Sequence, residues 1–342
     1  MKPIIQEYEC LNCIGSGAFG KVYRAYCAKT EKYYAIKCIT SNKLSSRAMT
    51  YLDREISILR SLSHENIVKL LDVVTTSRSK CLVFEYCNGG DLTGFIKRHG
   101  GRLSESLAQY ILQQLVRAMN LLNELSLIHR DIKLSNVFLH YPTKESMTHC
   151  KPIIKLGDLG LARELAIDDM VVTPETSLEM SCVGTPFSMA PEVYNNQPYS
   201  FQADIWSLGI LTYELLCGTP CFSGNTNTEL SKNINEGIYK LPKELNLSQT
   251  CIDFIALCLV QNPNERLKWK EVLEHPFISG AGRIPPRINI KEKDKYYIFN
   301  SKIPNSKQEH RKWSISSQDI DYEIIRGDEV TEESLESSFV VL

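Results

Sequence analysis

No window of this 342-residue chain approaches the roughly 18 consecutive apolar residues of a membrane-spanning helix, so hydropathy gives no sign of a membrane span. The opening residues, MKPIIQEYEC, lack the apolar stretch of a secretory signal, and the expected address is cytoplasmic. Charge of one sign is not in excess either. The 39 Lys and Arg against 40 Asp and Glu argue neither for nucleic acid nor for an anionic membrane surface as partner. No internal repeat is present, which sets aside solenoids and arrays. The twelve cysteines are scattered along a long chain instead of being packed into a short secreted framework, which favours free thiols. Cys10 and Cys13 form a CxxC, but they precede a strand-like run in which side chains alternate faces. Residues three apart then point to opposite sides, and ordinary thiols are expected in place of a zinc pair.

What the chain does have is the composition of a globular protein, 43% hydrophobic and 23% charged, with length enough for two lobes. From Tyr8 to about Tyr86 the pattern reads as short β-rich runs (KVYRAYCA, YYAIKCI, KCLVFEY) broken by one helical stretch, LDREISILRSL. After the NGGD turn at Asn88 to Asp91 it becomes mainly helical. Leu107, Ile111, Leu115, Met119 and Leu122 recur at helical spacing, and IWSLGILTYELL is apolar nearly all round, as a central buried helix would be. The last such signal is HPFI, ending at Ile278. Beyond it the tail is sorted by charge: nine basic against three acidic residues from Arg283 to Lys312, then one against eight from Trp313 to Leu342. A mostly flexible tail is expected there, able to fold back on itself.

The chemistry sits in four places. Ile14, Gly15, Ser16, Gly17, Ala18, Phe19, Gly20, Lys21 and Val22 spell IGSGAFGKV, a G-x-G-x-x-G pattern followed by a β-rich run. A dinucleotide fingerprint opens a helix, so a hairpin covering ATP phosphates fits better than a Rossmann turn. Lys37 follows on a strand, with Ala35 beside it small enough for adenine, and would supply a point charge to the α and β phosphates. Glu55 in the next helix is placed to fix Lys37 by an ion pair. IHRDIKLSNVFL sets Asp131 as acceptor of a substrate hydroxyl proton, Lys133 to steady the γ-phosphate, and Asn136 as a ligand for a second Mg²⁺. Asp158 in IIKLGDLGLA completes the metal site, because Mg²⁺ takes hard oxygen ligands.

With these residues in order, the sequence resembles the eukaryotic protein kinase family, Ser/Thr branch, over residues 8–278. The resemblance implies an α+β bilobal fold: a small β-rich N-lobe with one main helix (about 8–87), a larger helical C-lobe (about 88–278), and the tail 279–342 outside it. It also implies Phe84 as gatekeeper, Glu85 to Cys87 as the hinge that bonds adenine, and Asp91 near the ribose. Leu59, Leu70, His129 and Leu159 would form the spine between lobes, Asp204 would brace the catalytic loop, and Arg266 would pair with Glu192. Leu159 stands where Phe is usual, which keeps an apolar plug and leaves the metal ligand intact. The implied cofactors are ATP and Mg²⁺.

The hinge run FEYCNGGDL, the long loop YPTKESMTHCKP and SMAPEVY look most like the ULK-type, autophagy-initiating kinases. NIMA-related and Aurora-like kinases share much of the rest, and a pseudokinase scaffold is the rival from another class. Ser135, where Glu or Gln is frequent, implies less demand for a basic residue upstream of the acceptor. Among Thr173, Thr176, Ser177, Ser181 and Thr185, Ser181 before CVGTP resembles the phosphorylated regulatory site, and Thr185 a structural hydroxyl. Phe339 to Leu342, with Glu332, Glu333 and Glu336 upstream, resembles the motif that binds ubiquitin-like autophagy modifiers by strand addition. Tyr322 and Ile325 are a second candidate.

Overall fold

The alternating runs of the N-terminal third form the strands β1 Ile4–Ile5, β2 Tyr8–Gly17, β3 Gly20–Cys27, β4 Lys32–Thr40, β5 Leu70–Thr75 and β6 Ser79–Glu85 in the computed structural model of the chain. That structure describes residues 4–17, 20–40, 45–76, 79–148, 151–159, 163–164, 188–195, 197–224, 226–280 and 296–300. The strands pair antiparallel into one sheet in the order β1, β2, β3, β4, β6, β5. One face carries the core, with Tyr8, Cys10, Ala25, Cys27, Ile36, Cys81 and Val83 buried and Tyr23, Tyr34 and Cys38 packed against them. Because side chains alternate along a strand, the intervening residues of β4 are turned to the other face. Cys10 is buried and Cys13 exposed, in line with the opposite faces expected of them.

The single helix among these strands, α1 Ser46–Ser61, starts where the Ser45 hydroxyl accepts the Ala48 N–H at 3.2 Å. Leu52, Ile56 and Leu59 recur at steps of four and three and are all buried, so one stripe of the helix faces the core. Asp53 on α1 pairs with Lys80 on β6.

The chain divides into two compact units. The first comprises residues Met1–Gly100 and Tyr110–Thr185, the second Gly101–Gln109 and Pro186–Leu342. Besides the sheet and α1, the first holds α2 Leu92–Arg98 and most of α3 Glu105–Glu124. Buried Ile111, Leu115, Met119 and Leu122 confirm the helical spacing of α3. Short strands follow: β7 Leu127–Ile128 and β8 Val137–His140, then a small helix α4 Lys144–Thr148, β9 Ile153–Leu156 and β10 Arg163–Glu164. β8 and β9 form an antiparallel pair with Val137 opposite Leu156, and β10 pairs with β7.

The second unit contains α5 Pro191–Tyr194, α6 Gln202–Cys217, α7 Asn227–Glu236, β11 Ile238–Pro242, α8 Gln249–Cys258, α9 Trp269–Glu274, α10 Pro276–Ser279 and β12 Tyr296–Asn300. α6 is buried nearly all round, as its sequence requires, and Asp204 is buried in its first turn. The expected pair is formed. Arg266 Nη1 and Nη2 donate to Glu192 Oε1 and Oε2 at 2.7 and 3.0 Å, and its Nε donates to the Val260 carbonyl. A piece of the charged tail, β12, folds back and pairs antiparallel with β11. Among the described residues no helix is long and apolar enough to cross a membrane.

Candidate active site

The residues assigned to phosphate chemistry, with the hinge, all belong to the first unit. β2 and β3 form a hairpin, with Ser16 opposite Lys21 and Gly17 opposite Gly20, so the glycine pattern opens a strand and not a helix. Ala18 and Phe19 lie outside the described residues. Gly20 has φ +151°, and a Cβ there would stand 1.9 Å from the Cys38 carbonyl oxygen, so a side chain at this position collides with the backbone next to Lys37. Gly15 would meet only the Val22 side chain, at 3.6 Å, so the fold tolerates alanine there.

Strand register gathers the next set. Val22 on β3 and Leu82 on β6 flank Lys37 on β4, and Phe84 lies opposite Ala35. These positions alternate with the core-facing Ile36 and Cys38, so they share the sheet's other face. Ile14 is 46% exposed, an apolar side chain left at the surface.

Lys37 does not take the partner its sequence suggested. Its Nζ donates to Asp158 Oδ1 at 2.8 Å, and no ion pair joins it to Glu55. Burial pulls the Lys37 pKa down, but the charge and hydrogen bond of Asp158 outweigh it and the net shift is upward. Burial pushes Asp158 up, but the charge and hydrogen bond of Lys37, with the charges of His129 and Lys133, together outweigh it, and the carboxyl ends below its usual value. Glu55, left without that bond, is pushed up to about 7 by burial against the attraction of Lys37, with Asp158 adding to the rise.

A raised carboxyl contributes stability that is full below its unfolded pKa of 4.5 and lost as pH rises through about 7. Ionised Glu55 therefore costs on the order of 3 kcal/mol at pH 8. Glu55→Gln is expected to stabilise the nucleotide-free protein at pH 8 by about that amount and to do little at pH 5. Denaturant unfolding at the two pH values checks this, and equal effects at both would contradict it.

The catalytic-loop residues converge on Asp131. Asn136 Nδ2 donates to the Asp131 carbonyl and to its Oδ2, both at 2.8 Å, and Lys133 Nζ pairs with the same Oδ2 at 2.8 Å. These bonds fix one carboxylate oxygen of Asp131. His129, fully buried, accepts the Asp131 N–H on Nδ1, so its Nε2 carries the proton and donates to the Gly157 carbonyl at 3.1 Å. That ring joins the loop of Asp131 to the residue before Asp158. Two residues on either side of the join, Arg130 at φ +67° and Asp158 at φ +51°, take left-handed backbone that non-glycine residues seldom adopt. Leu59, Leu70, His129 and Leu159 are all buried.

Asp158 and Asn136 suit Mg²⁺. The Asp158 side chain is 47% exposed, and the Asn136 amide spends its N–H₂ on Asp131, which leaves its carbonyl oxygen as the donor atom to a cation. Among the described residues no cluster of three or more His, Cys, Asp or Glu could hold a metal, and one carboxylate with one amide and phosphate oxygens does not need one.

At the hinge, Cys87 is half-buried and its thiol is pushed up to about 12 by burial, with Glu85 adding to the rise and Lys155 opposing it. Among the described residues its main-chain N–H and carbonyl meet no backbone partner. The Glu85 side chain does something the sequence did not suggest: Oε1 accepts from Lys155 Nζ and from the Lys69 N–H, each at 2.8 Å. Lys155, buried at 8% exposure, belongs to no motif of the sequence; its one signal is a lone cation inside the apolar strand IIKL. Asp91 caps α2, its Oδ1 accepting the Gly94 N–H at 2.7 Å, with its second carboxylate oxygen not used in the cap. Ser181 and Thr185 fall outside the described residues, as do Thr173, Thr176, Ser177, Tyr322, Ile325 and the segment from Phe339 to Leu342.

The model of the protein kinase domain matches residues 8–278. The chain is similar to serine/threonine-protein kinase ATG1a of Arabidopsis thaliana, 36% identical over 285 residues that cover 82% of this chain and 43% of that one. It is similar to serine/threonine-protein kinase atg1 of Aspergillus clavatus, 34% identical over 80% of this chain and 34% of the relative. Serine/threonine-protein kinase 36 of Pongo abelii is 33% identical over 90% of this chain and 22% of its own length. The chain spans less than half the length of the relatives it matches.

Proposed function

Because the chain belongs to the protein kinase family, we propose that it transfers the γ-phosphoryl of MgATP to serine and threonine hydroxyls of proteins, in the cytoplasm, as part of autophagy initiation. The observation that carries the reading is Asp131, whose Oδ2 is fixed by Asn136 and Lys133. A carboxylate so held keeps its other oxygen for the substrate hydroxyl, orients it and takes its proton as the oxygen attacks. Lys133 then carries charge towards the γ-phosphate, and Lys37 towards the α and β phosphates. Val22 and Ala35 line the purine, and the main chain of Cys87 meets its edge. Asp158 and Asn136 would hold Mg²⁺, which would supply positive charge against the phosphates. A scaffold without turnover would not need Lys37, Asp131, Asn136 and Asp158 together.

The test is phosphoamino-acid analysis of a generic protein incubated with labelled ATP. Label on serine and threonine supports the reading; label on tyrosine alone overturns it. The autophagy role rests on the hinge run FEYCNGGDL and on the likeness to ATG1 kinases. Phosphoproteomics of cells carrying wild type or Asp131→Asn tests it, and a substrate set without autophagy proteins would remove it.

Two regulatory features belong to the same proposal. Phosphate on Ser181 would order the activation segment through cationic partners such as Arg130. Ser181→Ala is expected to lower activity roughly tenfold, read alongside mass spectrometry of the active protein; full activity of the variant counts against the site. Phe339 to Leu342 would bind a ubiquitin-like modifier by strand addition. Phe339→Ala is expected to abolish capture of such a modifier in a pull-down, and unchanged capture dismisses the motif.

A further inference from the structure

The most unusual chemistry outside the active site lies on the core face of the sheet. Cys38 on β4 and Cys81 on β6 are direct partners across the antiparallel ladder, and their Sγ atoms stand 3.0 Å apart. Both are free thiols, Cys81 buried at 2% exposure and Cys38 half-buried. Neighbouring residues on paired strands have the Cα and Cβ spacing a disulfide requires, and closing the sulfurs to bonding distance, about 2.05 Å, moves them only about 1 Å. We propose that Cys38 and Cys81 are a redox site at which a hydroperoxide forms a reversible disulfide, stapling the strand that carries Lys37 to the strand that leads into the hinge.

The step balances. A thiolate of the pair attacks one peroxide oxygen; the S–O bond forms, the O–O bond breaks, and the departing oxygen takes a proton and leaves as water when the oxidant is hydrogen peroxide, or as an alcohol when it is an organic hydroperoxide. The second sulfur attacks the resulting sulfenic acid, the S–S bond forms, and the S–O bond breaks, the hydroxyl leaving as water with the proton of the second thiol. Two thiols are oxidised and one peroxide is reduced; a small dithiol reverses the reaction by exchange. The contact between the sulfurs favours the first ionisation. The Cys81 thiol lies below its ordinary pKa through its hydrogen bond with Cys38, while Cys38 is raised by that same bond and by burial. Cys10 and Cys27 share this face, and Cys10 is near enough to Cys81 to interact with it electrostatically, but 3.0 Å sulfur contact belongs to Cys38 and Cys81.

The staple would also act on the fold. It joins residues 43 positions apart, so it restricts the unfolded chain and raises the unfolding midpoint. Its place next to Lys37, and beside the Cys38 carbonyl against which Gly20 is packed, puts it at the base of the phosphate site.

The experiment is to treat the full native chain with hydrogen peroxide, block remaining thiols with an alkylating reagent, digest without reduction and sequence the linked peptides. The expected result is one dominant link between the peptides holding Cys38 and Cys81, a higher unfolding midpoint, and loss of both after dithiothreitol. In Cys81→Ser the midpoint is expected not to respond to peroxide. Full alkylation of Cys38 and Cys81 after peroxide, or a dominant link from Cys81 to Cys10, would overturn the proposal. Since the link is read by mass in the wild-type chain, its failure is separate from any failure of phosphate transfer and does not depend on a variant's folding.

Discussion

Asp131→Asn is expected to lower phosphate transfer by about 10²- to 10⁴-fold while ATP binding stays within a few-fold of wild type. The substitution keeps size and hydrogen-bonding shape, so the backbone of the loop, set by the His129 bonds to the Asp131 N–H and the Gly157 carbonyl, has no reason to move. What it removes is the negative charge paired with Lys133 at 2.8 Å and the oxygen proposed to accept the substrate proton. An amide can orient a hydroxyl but cannot take its proton. Binding should survive because the residues proposed to hold the nucleotide, Lys37, Asp158 and the hinge, are left unchanged. Stopped-assay kcat together with a fluorescent-nucleotide Kd checks this; a loss confined to binding would show that Asp131 is structural.

The largest stability effect is expected from Arg266→Ala. The guanidinium is 1% exposed and makes two bonds to Glu192, itself 3% exposed, with a further bond to the Val260 carbonyl and the indole of Trp206 at 5.2 Å. Removing the cation strands a buried carboxylate, which costs about 3–5 kcal/mol. In a unit of this size that lowers the unfolding midpoint by roughly 10 °C. The pair itself need not stabilise to that degree, since both charges had to leave water. The double variant Glu192→Gln with Arg266→Met should therefore be less destabilised than Arg266→Ala alone. Additive losses in calorimetry would contradict this account of the pair.

Much of this arrangement could be read in the chain because it is local. The helical stripe of α1 and the all-round burial of α6 follow from spacing, and the catalytic loop packs Asp131, Lys133 and Asn136 within six residues, so their convergence needs one tight turn. The bidentate pair of Arg266 with Glu192 came from resemblance and not from pattern. Other features depend on register and on competition between distant groups, which spacing does not encode. Lys37 has three carboxylates within electrostatic reach, Asp158, Glu55 and Asp131, and its bond to Asp158 in place of Glu55 is decided by where α1 and the end of β9 come to rest. The Glu85 carboxylate meets Lys155, 70 positions along the chain, a pairing that nothing in FEYCNGGDL encodes. Likewise Gly20 reads as part of a phosphate loop, yet its first requirement is the Cys38 carbonyl across β3 and β4. Cross-strand partnership of Cys38 with Cys81 is invisible until the register of β4 and β6 is known.

The measurement that bears most directly on the central claim is transfer of the γ-phosphoryl from labelled ATP to a serine- and threonine-containing protein by the wild-type chain, with Mg²⁺ and with a chelator, while nucleotide binding is followed in parallel. The arrangement of Lys37, Asp131, Asn136 and Asp158 predicts covalent label on the acceptor that appears only with Mg²⁺. Nucleotide bound with Mg²⁺ and no label on any acceptor, the chain's own hydroxyls included, would contradict it.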